Sequence, residues 1–254
     1  RMKWRVKGLK HAIRSGKPRI GIWSSLCSHI SAEVLADAGF DWVLIDTEHS
    51  PNELPLVQNQ LDALMCGNTE PIVRPAWNDT VLIKRFLDLG ARTLLVPYVQ
   101  NADEARRAVA ATRYPPQGVR GVSGCTRANR YGRISDYFER VHDELCVLVQ
   151  VETRTALANL EAIAGVEGVD GVFIGPNALD ADMGHLGNSR HPDVWNAIED
   201  AVARILACGK APGILVGEAD GKRCLDLGFR FVAVGSDLAM LSRGTEALAA
   251  KFKT

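Results

Sequence analysis

The stretch Trp42-Val-Leu-Ile-Asp-Thr-Glu-His49 decides the fold prediction, because a short apolar run ends in polar residues that can take part in chemistry. Three further runs end in the same way: residues 71–74 in arginine, 145–152 in Gln-Val-Glu and 171–176 in Gly-Pro. Strands of a parallel sheet are buried on both faces, so they are apolar along their length and polar only where they end. In a (β/α)₈ barrel the carboxyl ends of all strands meet at one face, where functional residues lie. The pattern therefore predicts an α/β protein with the (β/α)₈ TIM-barrel fold.

The rest of the chain alternates between apolar runs and helical spacing, and its 254 residues match the usual size of one barrel. Candidate strands are the runs 20–23, 42–45, 71–73, 93–96, 145–151, 171–174, 213–216 and 231–234. Helical spacing is found at 31–38, with Ser31 as N-cap, and at 80–89, 102–112, 194–207 and 244–253. No change in composition marks a boundary, so a single domain over 1–254 is predicted. The last helix is expected to cap the barrel or to pack on a neighbouring subunit.

The segment 114–143 interrupts this alternation, since it is rich in Gly, Arg and Tyr and has no clear periodicity. A long irregular loop in a compact domain is more often functional than idle. This segment and the loop after Val216 are therefore expected to set substrate specificity. Arg120, Arg127 and Arg130 then either face a distal carboxylate of the ligand or lie in solvent.

Charge and composition exclude several classes of protein. The chain has 30 basic and 30 acidic residues, whereas nucleic acid and acidic membranes require a basic excess. Its six cysteines are scattered without a Cys-x-x-Cys pair, which argues against a zinc knuckle or a disulfide framework. Residues 217–222 resemble a phosphate-binding loop but lack its length and its Ser or Thr. No run of 18 apolar residues and no signal-peptide core is found, so a soluble cytoplasmic protein is predicted.

Asp46 and His49 are the first candidates for catalysis. They follow one strand and are three residues apart, so both can face the barrel mouth. A carboxylate that accepts a hydrogen bond from an imidazole fixes its tautomer and raises its basicity. The alternative interpretation is a surface histidine beside a capping aspartate.

Arg74 follows Ile72-Val73 directly, at the end of another predicted strand. A guanidinium group in this place can hold a carboxylate or stabilise a developing enolate oxygen. The alternative is a structural ion pair within the barrel.

Glu152 ends the strongest apolar run of the chain. A carboxylate there is costly unless it is paired or bound to a metal, and a divalent ion with oxygen ligands is the natural partner because no His or Cys cluster accompanies it. Gln150 lies two residues earlier and therefore shares its face of the strand. The alternative is a buried Glu–Arg pair, in which Arg74 is the candidate partner. Gly175-Pro176 ends a further strand, where a glycine lets backbone N–H groups approach an anionic substrate.

These residues resemble the HpcH/HpaI aldolase family, the class II pyruvate-dependent aldolases. The matching motifs occur in order along nearly the whole chain, at 21–23, 36–52, 72–75, 94–97, 114–121, 149–153, 171–176 and 231–237. The resemblance implies a metal-dependent lyase that releases pyruvate from a 4-hydroxy-2-oxo acid, together with an aldehyde. It also implies a homo-oligomer, commonly a hexamer, with sites near subunit contacts and Asp88 as a group donated by the neighbouring subunit.

The same resemblance assigns roles to the candidate residues. Glu152 would bind Mg²⁺, Mn²⁺ or Co²⁺, with Gln150 beside the metal. Arg74 would contact the keto oxygen and stabilise the enolate. His49, oriented by Asp46, would act with a water in proton transfer at the aldol hydroxyl.

The remaining substrate contacts implied by the resemblance come from the ends of later strands. Backbone groups near Gly175 and Pro176 would hold the pyruvate carboxylate, and Val216 would line the substrate site. No lysine follows any of the main strand ends, which agrees with a metal route in place of a Schiff base.

One position departs from the family pattern. The family has Gly-Pro-x-Asp-Leu, with that aspartate as second metal ligand, and here the matching residue is Ala178. Asp180 and Asp182 follow two and four residues later. Either Asp180 supplies the carboxylate, or Glu152 and waters hold the metal with lower affinity, since Mg²⁺ readily keeps several waters, or the chain is an altered variant.

Two other functions remain open at this level. The same barrel can act as an oxaloacetate decarboxylase or another enolate-forming lyase. It can also be a catalytically silent barrel that binds a keto acid or serves as an assembly partner, a hypothesis supported by the absence of aspartate at position 178.

Overall fold

The computed structural model describes residues 8–253 and contains a closed barrel of eight parallel strands in the order of the chain. Each strand pairs with the next, and the last pairs with the first. The strands are β1 Arg19–Ser24, β2 Trp42–Asp46, β3 Glu70–Arg74, β4 Thr93–Val96, β5 Cys146–Val151, β6 Gly171–Ile174, β7 Ala211–Leu215 and β8 Phe231–Ser236. The predicted (β/α)₈ barrel is confirmed.

Helices connect the strands and form the outer layer. They are α1 Leu9–Arg14, α2 His29–Ala36, α3 Leu54–Ala63, α4 Thr80–Asp88, α5 Ala102–Thr112, α6 Tyr137–Glu144, α7 Arg154–Ala158, α8 Leu160–Ala164, α9 Pro176–Asp182, α10 Pro192–Ala207, α11 Glu218–Asp226 and α12 Asp237–Ala250. Across residues 8–253, no helix combines the length and the apolar character needed to cross a bilayer.

Three features differ from the sequence predictions by more than two residues. The N-cap of α2 is Ser28, whose hydroxyl accepts from the N–H groups of Ile30 and Ser31, so the assignment of Ser31 as N-cap was wrong by one turn. Ser31 instead donates its hydroxyl proton to Asp237 Oδ2 at 2.7 Å. The C-terminal helix begins at Asp237 rather than at 244. Helix α6 covers the end of the segment predicted to be irregular, because the buried Tyr137 and Val141, one turn apart, pack it onto the barrel.

Inward-facing side chains fill the barrel, so its interior is a packed core. Trp23 packs on Phe173 with ring centroids 5.6 Å apart, and Trp42 packs on Phe231 at 6.4 Å. Phe173 and Phe231 join the two pairs, with centroids 6.0 Å apart. A second apolar layer lies between the strands and the helices, and it contains the outward-facing Val43 of β2.

The alternation of the strands carries this inward row to the barrel mouth. Successive side chains of a strand point to opposite faces, so Asp46 lies on the same inward face as the buried Leu44. For the same reason Arg74 follows Ile72, and Gln150 follows Leu148. The polar side chains predicted from the strand ends therefore form the top layer of the barrel interior.

Two glycines leave room for the large rings of this core. A Cβ atom at Gly21 would overlap the indole of Trp42, and one at Gly213 would overlap the ring of Phe231. Both glycines lie on strands adjacent to the ring that they accommodate. A large aromatic side chain on one strand is thus accommodated by a glycine, which has no side chain, on the adjacent strand.

Replacement of Gly21 by alanine is expected to lower the free energy of unfolding by about 1–3 kcal/mol, because the Trp42 ring must leave its position in a packed core. The measurement is urea denaturation of the purified variant. Gly124→Ala is the matched control, since its added methyl group meets no atom within 4 Å. Equal stability of the two variants would show that the interior yields to the methyl group without cost.

Candidate active site

Arg74 lies at the centre of the mouth, buried and bound to Asp46 through two parallel hydrogen bonds. Its Nε donates to Asp46 Oδ1 at 2.9 Å and its Nη2 donates to Oδ2 at 2.8 Å. The register of the sheet explains this contact, because Asp46 of β2 stands opposite Arg74 of β3. Bidentate pairing of this kind fixes the plane of the guanidinium as well as its charge.

The third nitrogen of Arg74 faces two further polar groups. Nη1 lies 2.9 Å from Glu48 Oε2 and donates to Gln150 Oε1 at 3.4 Å. The guanidinium also lies over the indole of Trp23, 5.2 Å from the ring centroid. Sequence reasoning missed Glu48. The sequence did contain an indication of its role, because Glu48 lies between the two catalytic candidates Asp46 and His49.

Glu152 is held from two sides. Its Oε1 accepts from the backbone N–H of Tyr98 at 3.0 Å, and its Oε2 accepts from Gln150 Nε2 at 2.8 Å. Gln150 therefore shares the face of Glu152, as their spacing predicts. The acidic partners of Arg74 are Asp46 and Glu48, so the alternative of a Glu152–Arg74 ion pair finds no support within residues 8–253.

The three carboxyl groups of the mouth differ in their proton affinity. Burial opposes ionisation of Asp46, but its bonds with Arg74 outweigh burial and hold its pKa below the usual value. Burial raises the pKa of Glu48. Burial also raises the pKa of Glu152, and the negative charge of Glu48 adds to this shift. A positive charge placed between two carboxylates that repel each other in a buried site would stabilise their ionised forms.

His49 is oriented differently from the prediction. Its side chain is 74% exposed, and its Nε2 lies 3.8 Å from Glu48 Oε2. The oxygens of Asp46 are taken by Arg74 and by the backbone N–H groups of Glu48 and His49. The predicted hydrogen bond between the Asp46 carboxylate and the imidazole was therefore wrong, and the acid within ion-pair distance of the ring is Glu48.

Gly175 lies beside Gln150 and Glu152 at the mouth, and the predicted binding of a carboxylate by backbone groups near it stays a prediction. Its N–H donates to Val151 O at 3.1 Å and is therefore not available to a ligand. A Cβ atom at Gly175 would lie 2.9 Å from both Glu152 Oε2 and Gln150 Nε2. The glycine gives these two side chains the space in which they meet, and Pro176 then begins α9.

The α9 helix carries the position at which the chain departs from the family pattern. Ala178 offers no ligand atom. Asp180 is buried, with 1% exposed, and its Oδ1 has no hydrogen-bond partner within residues 8–253. Residues two positions apart in an α-helix are separated by about 200° around its axis, so the side chains of Ala178 and Asp180 leave α9 on different faces. Asp182 accepts from the backbone N–H of Arg154 at 2.8 Å.

The donor set of the mouth fits a hard divalent ion. Glu152 and Glu48 present carboxylate oxygens, Gln150 adds an amide oxygen that Arg74 contacts, and oxygen ligands suit Mg²⁺ and Mn²⁺. Glu152 uses one hydrogen bond on each oxygen, which leaves further lone pairs for an ion. The unbalanced negative charge of Glu48 and Glu152 supports the same conclusion.

Two aromatic residues beside the mouth were missed by sequence reasoning. Trp77 follows β3 and Tyr98 follows β4, and their rings stack with centroids 5.4 Å apart. They are 52% and 41% exposed, respectively. Tyr98 has a φ of 54°, a left-handed conformation that is rare outside glycine, and its N–H is the one bound by Glu152.

The arginines of the segment 114–143 do not share one environment. Arg120 is fully buried: its Nη2 donates to Asp88 Oδ1 at 2.7 Å, and its guanidinium lies over the ring of Tyr114. Both predicted environments for Arg120, a ligand carboxylate at the mouth and solvent, were therefore wrong. Arg127 donates to Leu89 O at 2.6 Å. Arg130 is half-buried and has a φ of 55°.

Two further predicted residues lie at opposite ends of the barrel. Asp88 ends α4 and therefore lies away from the mouth of its own barrel, where its bond to Arg120 holds it. Val216 directly follows β7, and its N–H donates to Ala233 O at 3.0 Å. Val216 thus lies at the mouth of the barrel, whereas Asp88 lies at the opposite end and does not contribute to the mouth of its own chain.

Comparison with known proteins identifies the family. The model of the HpcH/HpaI aldolase/citrate lyase family matches residues 19–243. A 4-hydroxy-2-oxo-heptane-1,7-dioate aldolase of Klebsiella pneumoniae is 60% identical over 245 residues, which cover 96% of this chain and 92% of the relative. The corresponding aldolase of Salmonella dublin is 58% identical, with 96% and 93% covered.

Solved structures agree with this identification. An HpcH/HpaI aldolase/citrate lyase family protein of Burkholderia cenocepacia is similar with a TM-score of 0.93 at 39% identity, covering 97% of this chain and 99% of that protein. The citrate synthase SbnG is similar with a TM-score of 0.86 at 27% identity, and 96% of each chain is covered. The resemblance found in the sequence motifs is therefore confirmed, and this chain belongs to the HpcH/HpaI aldolase/citrate lyase family.

Proposed function

We propose that this chain cleaves a 4-hydroxy-2-oxo acid reversibly into pyruvate and an aldehyde, with a divalent metal ion as cofactor. The observation that carries the proposal is the array of Glu152, Gln150 and Arg74 at the barrel mouth, held in place by direct hydrogen bonds. Relatives at about 60% identity named as 4-hydroxy-2-oxo-heptane-1,7-dioate aldolases support the same reaction.

The reaction needs a site that accepts electrons at the keto carbon and a base at the C4 hydroxyl. A bound divalent ion polarises the keto group and neutralises the charge of the pyruvate enolate. A Schiff-base lysine would be the other solution, but none of the described residues that are buried is a lysine. The oxygen donors of the mouth therefore support the metal route.

Arg74 contributes a fixed positive charge to this reaction. Two of its nitrogens are bound by Asp46, whereas Nη1 lies 2.9 Å from Glu48 Oε2 and 3.4 Å from Gln150 Oε1, towards the ligand groups of the mouth. In the proposal Nη1 donates to the keto oxygen and stabilises its charge as the enolate forms. Because Asp46 holds the guanidinium plane, no reorientation is needed during the reaction.

His49 is the proposed proton-transfer group at the aldol hydroxyl. Its exposed ring can reach a substrate or a water above the mouth, and the Glu48 carboxylate lies within ion-pair distance of its Nε2, at 3.8 Å. Glu48 thus takes the orienting role that the sequence prediction gave to Asp46. Asp46 acts through Arg74 in this proposal.

Glu152 is the proposed protein ligand of the metal, which we propose to be Mg²⁺, Mn²⁺ or Co²⁺. With Ala178 in place of the family's aspartate, water molecules fill the position of the second carboxylate, and the affinity is lower than with two carboxylates. The alternative ligand Asp180 remains a prediction. Its unpartnered Oδ1 favours a role in binding, whereas its place on the other side of α9 from Ala178 argues against one.

A second reaction of the same enolate is favoured by one comparison. The citrate synthase that resembles this chain at 27% identity shows that the fold accommodates other carbon–carbon chemistry. Oxaloacetate decarboxylation uses the same electron sink and is the alternative activity. Substrate profiling distinguishes the two.

We further propose that the chain forms a homo-oligomer, with a hexamer as the specific expectation. The α12 helix supports this, because four of its large apolar side chains are at least half exposed: Leu238, Met240, Leu241 and Leu248. Exposed apolar surface of this kind marks contact sites between proteins.

A cytoplasmic location is proposed because all six cysteines are free thiols, as is usual in reducing compartments.

Pyruvate release from a 4-hydroxy-2-oxo acid, measured in a coupled assay while Mg²⁺, Mn²⁺ or Co²⁺ is varied, tests the proposed function. We expect turnover that rises with the metal concentration and stops when a chelator is added. Ala178→Asp restores the second carboxylate and is expected to lower the metal concentration needed for half-maximal turnover. Asn177→Asp is the matched control, since it adds the same charge at an exposed position one residue earlier.

Three outcomes would contradict parts of this proposal. Undiminished turnover in the chelator excludes the metal. An equal effect of Ala178→Asp and Asn177→Asp excludes position 178 as a ligand position. Absence of turnover at every metal concentration, in the wild type and in Ala178→Asp alike, identifies a silent barrel.

Arg74→Met is expected to remove most of the activity and to lower the free energy of unfolding by about 3–5 kcal/mol at neutral pH, because it leaves the Asp46 carboxylate buried without its partner. The folded-state pKa of Asp46 is lowered, so the pair stabilises the protein above the ordinary Asp pKa and loses this contribution as the pH falls through the folded value. In Arg74→Met, acidification protonates Asp46 and should reduce the deficit.

The measurement for this variant is thermal unfolding at neutral and mildly acidic pH. Asp46→Asn/Arg74→Met is the control, because it removes the uncompensated charge and should regain part of the stability without regaining activity. A deficit that does not change with pH would contradict the role given to the Asp46 charge.

His49→Ala is expected to lower kcat by about 10²–10⁴-fold with little change in the KM of the substrate, since it removes a proton-transfer group and not a binding group. Glu48→Gln should retain more activity than His49→Ala, because it keeps the imidazole and replaces only the carboxylate that lies beside it. His29→Ala, at an exposed position of α2, is the control. A normal kcat for His49→Ala would assign proton transfer to another group.

A further inference from the structure

A second cluster of possible ligands lies between α9 and α10, outside the group of residues around Arg74. The imidazole rings of His185 and His191 stack with centroids 3.6 Å apart and an angle of 13° between their planes. Asp193 Oδ2 lies 3.4 Å from His185 Nε2 and 3.6 Å from His191 Nδ1. One ligand atom from each of the three residues lies within 4.8 Å of the other two.

The backbone between the helices brings these residues together. Gly184 and Gly187 adopt φ values of 85° and 81°, which L side chains rarely adopt, and so allow tight turns on either side of the first histidine. His185 N–H donates to Asp180 O at 2.7 Å, and Asn188 N–H donates to His185 O at 2.8 Å. His191 N–H then donates to Asn188 O at 2.9 Å. A continuous series of backbone bonds thus fixes the first ring above the second.

We propose that His185, His191 and Asp193 form a binding site for a transition-metal ion of the Zn²⁺ class, separate from the metal site of the barrel mouth. Two imidazoles and one carboxylate form a donor set that suits Zn²⁺, Co²⁺, Ni²⁺ or Cu²⁺ and that Mg²⁺ avoids. The side chains of the three residues are 25%, 31% and 62% exposed, so an ion can enter and water can complete its coordination.

Ion binding must rearrange two of the present contacts. Ligand bonds of about 2.0–2.2 Å require nitrogen and oxygen atoms closer together than in the stacked arrangement, so the two rings must splay. His191 Nδ1 also accepts the N–H of Asp193 at 3.2 Å as the N-cap of α10, and an ion on this nitrogen replaces that hydrogen bond. These costs place the affinity below that of a closed structural zinc site.

An ion at this position would connect the loop after α9 with the first turn of α10. Because α9 carries Ala178 and Asp180, the ion would fix one side of the barrel mouth without contacting the substrate. An ion that binds the folded state and not the unfolded chain raises thermal stability, and the gain grows with the logarithm of the ion concentration above its dissociation constant.

Zn²⁺ binding is tested by calorimetric titration at pH 7.5, with the Glu152→Gln variant as background so that the carboxylate of the mouth does not contribute. We expect one zinc site in this background, and a loss of affinity of more than about tenfold when His185→Ala or Asp193→Asn is added. His11→Ala, at an exposed position of α1, removes an imidazole outside the cluster and should leave the affinity unchanged. Co²⁺ gives an independent readout, because ligation by imidazole changes its visible spectrum.

Two further measurements make the outcome decisive. Zn²⁺ should raise the Tm of the background protein and of His11→Ala but not of His185→Ala. The effect should weaken as the pH is lowered, because imidazole binds a metal ion only in its neutral form. Equal zinc affinity in His185→Ala and in the background would overturn the proposal, as would the absence of zinc binding to a folded background protein.

Discussion

The buried guanidinium of Arg74 organises the mouth of this barrel. A charge at that depth is tolerated only when its partners are fixed, and Asp46 satisfies this requirement through two parallel hydrogen bonds across adjacent strands. The remaining nitrogen of Arg74 then reaches Glu48 and Gln150, and Gln150 in turn reaches Glu152. The position of the proposed metal ligand is thus connected to a pair two strands away.

The residues of this network fall into two groups: some face the ligand, and others hold those residues in position. Glu152 and Nη1 of Arg74 face the ligand in the proposed mechanism. Asp46 acts by holding Arg74, and Gly175 acts by leaving space for Gln150 and Glu152. The alanine at position 178 stands outside this network. A chain can therefore lose the family's second carboxylate while the rest of the mouth keeps its arrangement.

Much of this architecture could be predicted from the sequence, for a physical reason that also sets its limit. Strands buried on both faces leave a plain apolar signal, and the period of two places Gln150 beside Glu152. Contacts between strands leave no such signal: that Asp46 pairs with Arg74 instead of His49 follows from the register of β2 on β3. The start of α2 was missed by one turn because Ser28 and Ser31 are equally good N-caps by composition, and tertiary contact with Asp237 decided between them.

The accommodation of Trp42 by Gly21 has a consequence for how this barrel can change over time. Trp42 fills the space that the side chain of Gly21 would otherwise occupy on the neighbouring strand. A large side chain can therefore move from one strand to the other only if both residues change. A single step in either direction leaves an overlap or a void, each of which destabilises the folded chain. The interior of this barrel is therefore expected to vary among its descendants by coupled exchanges between adjacent strands.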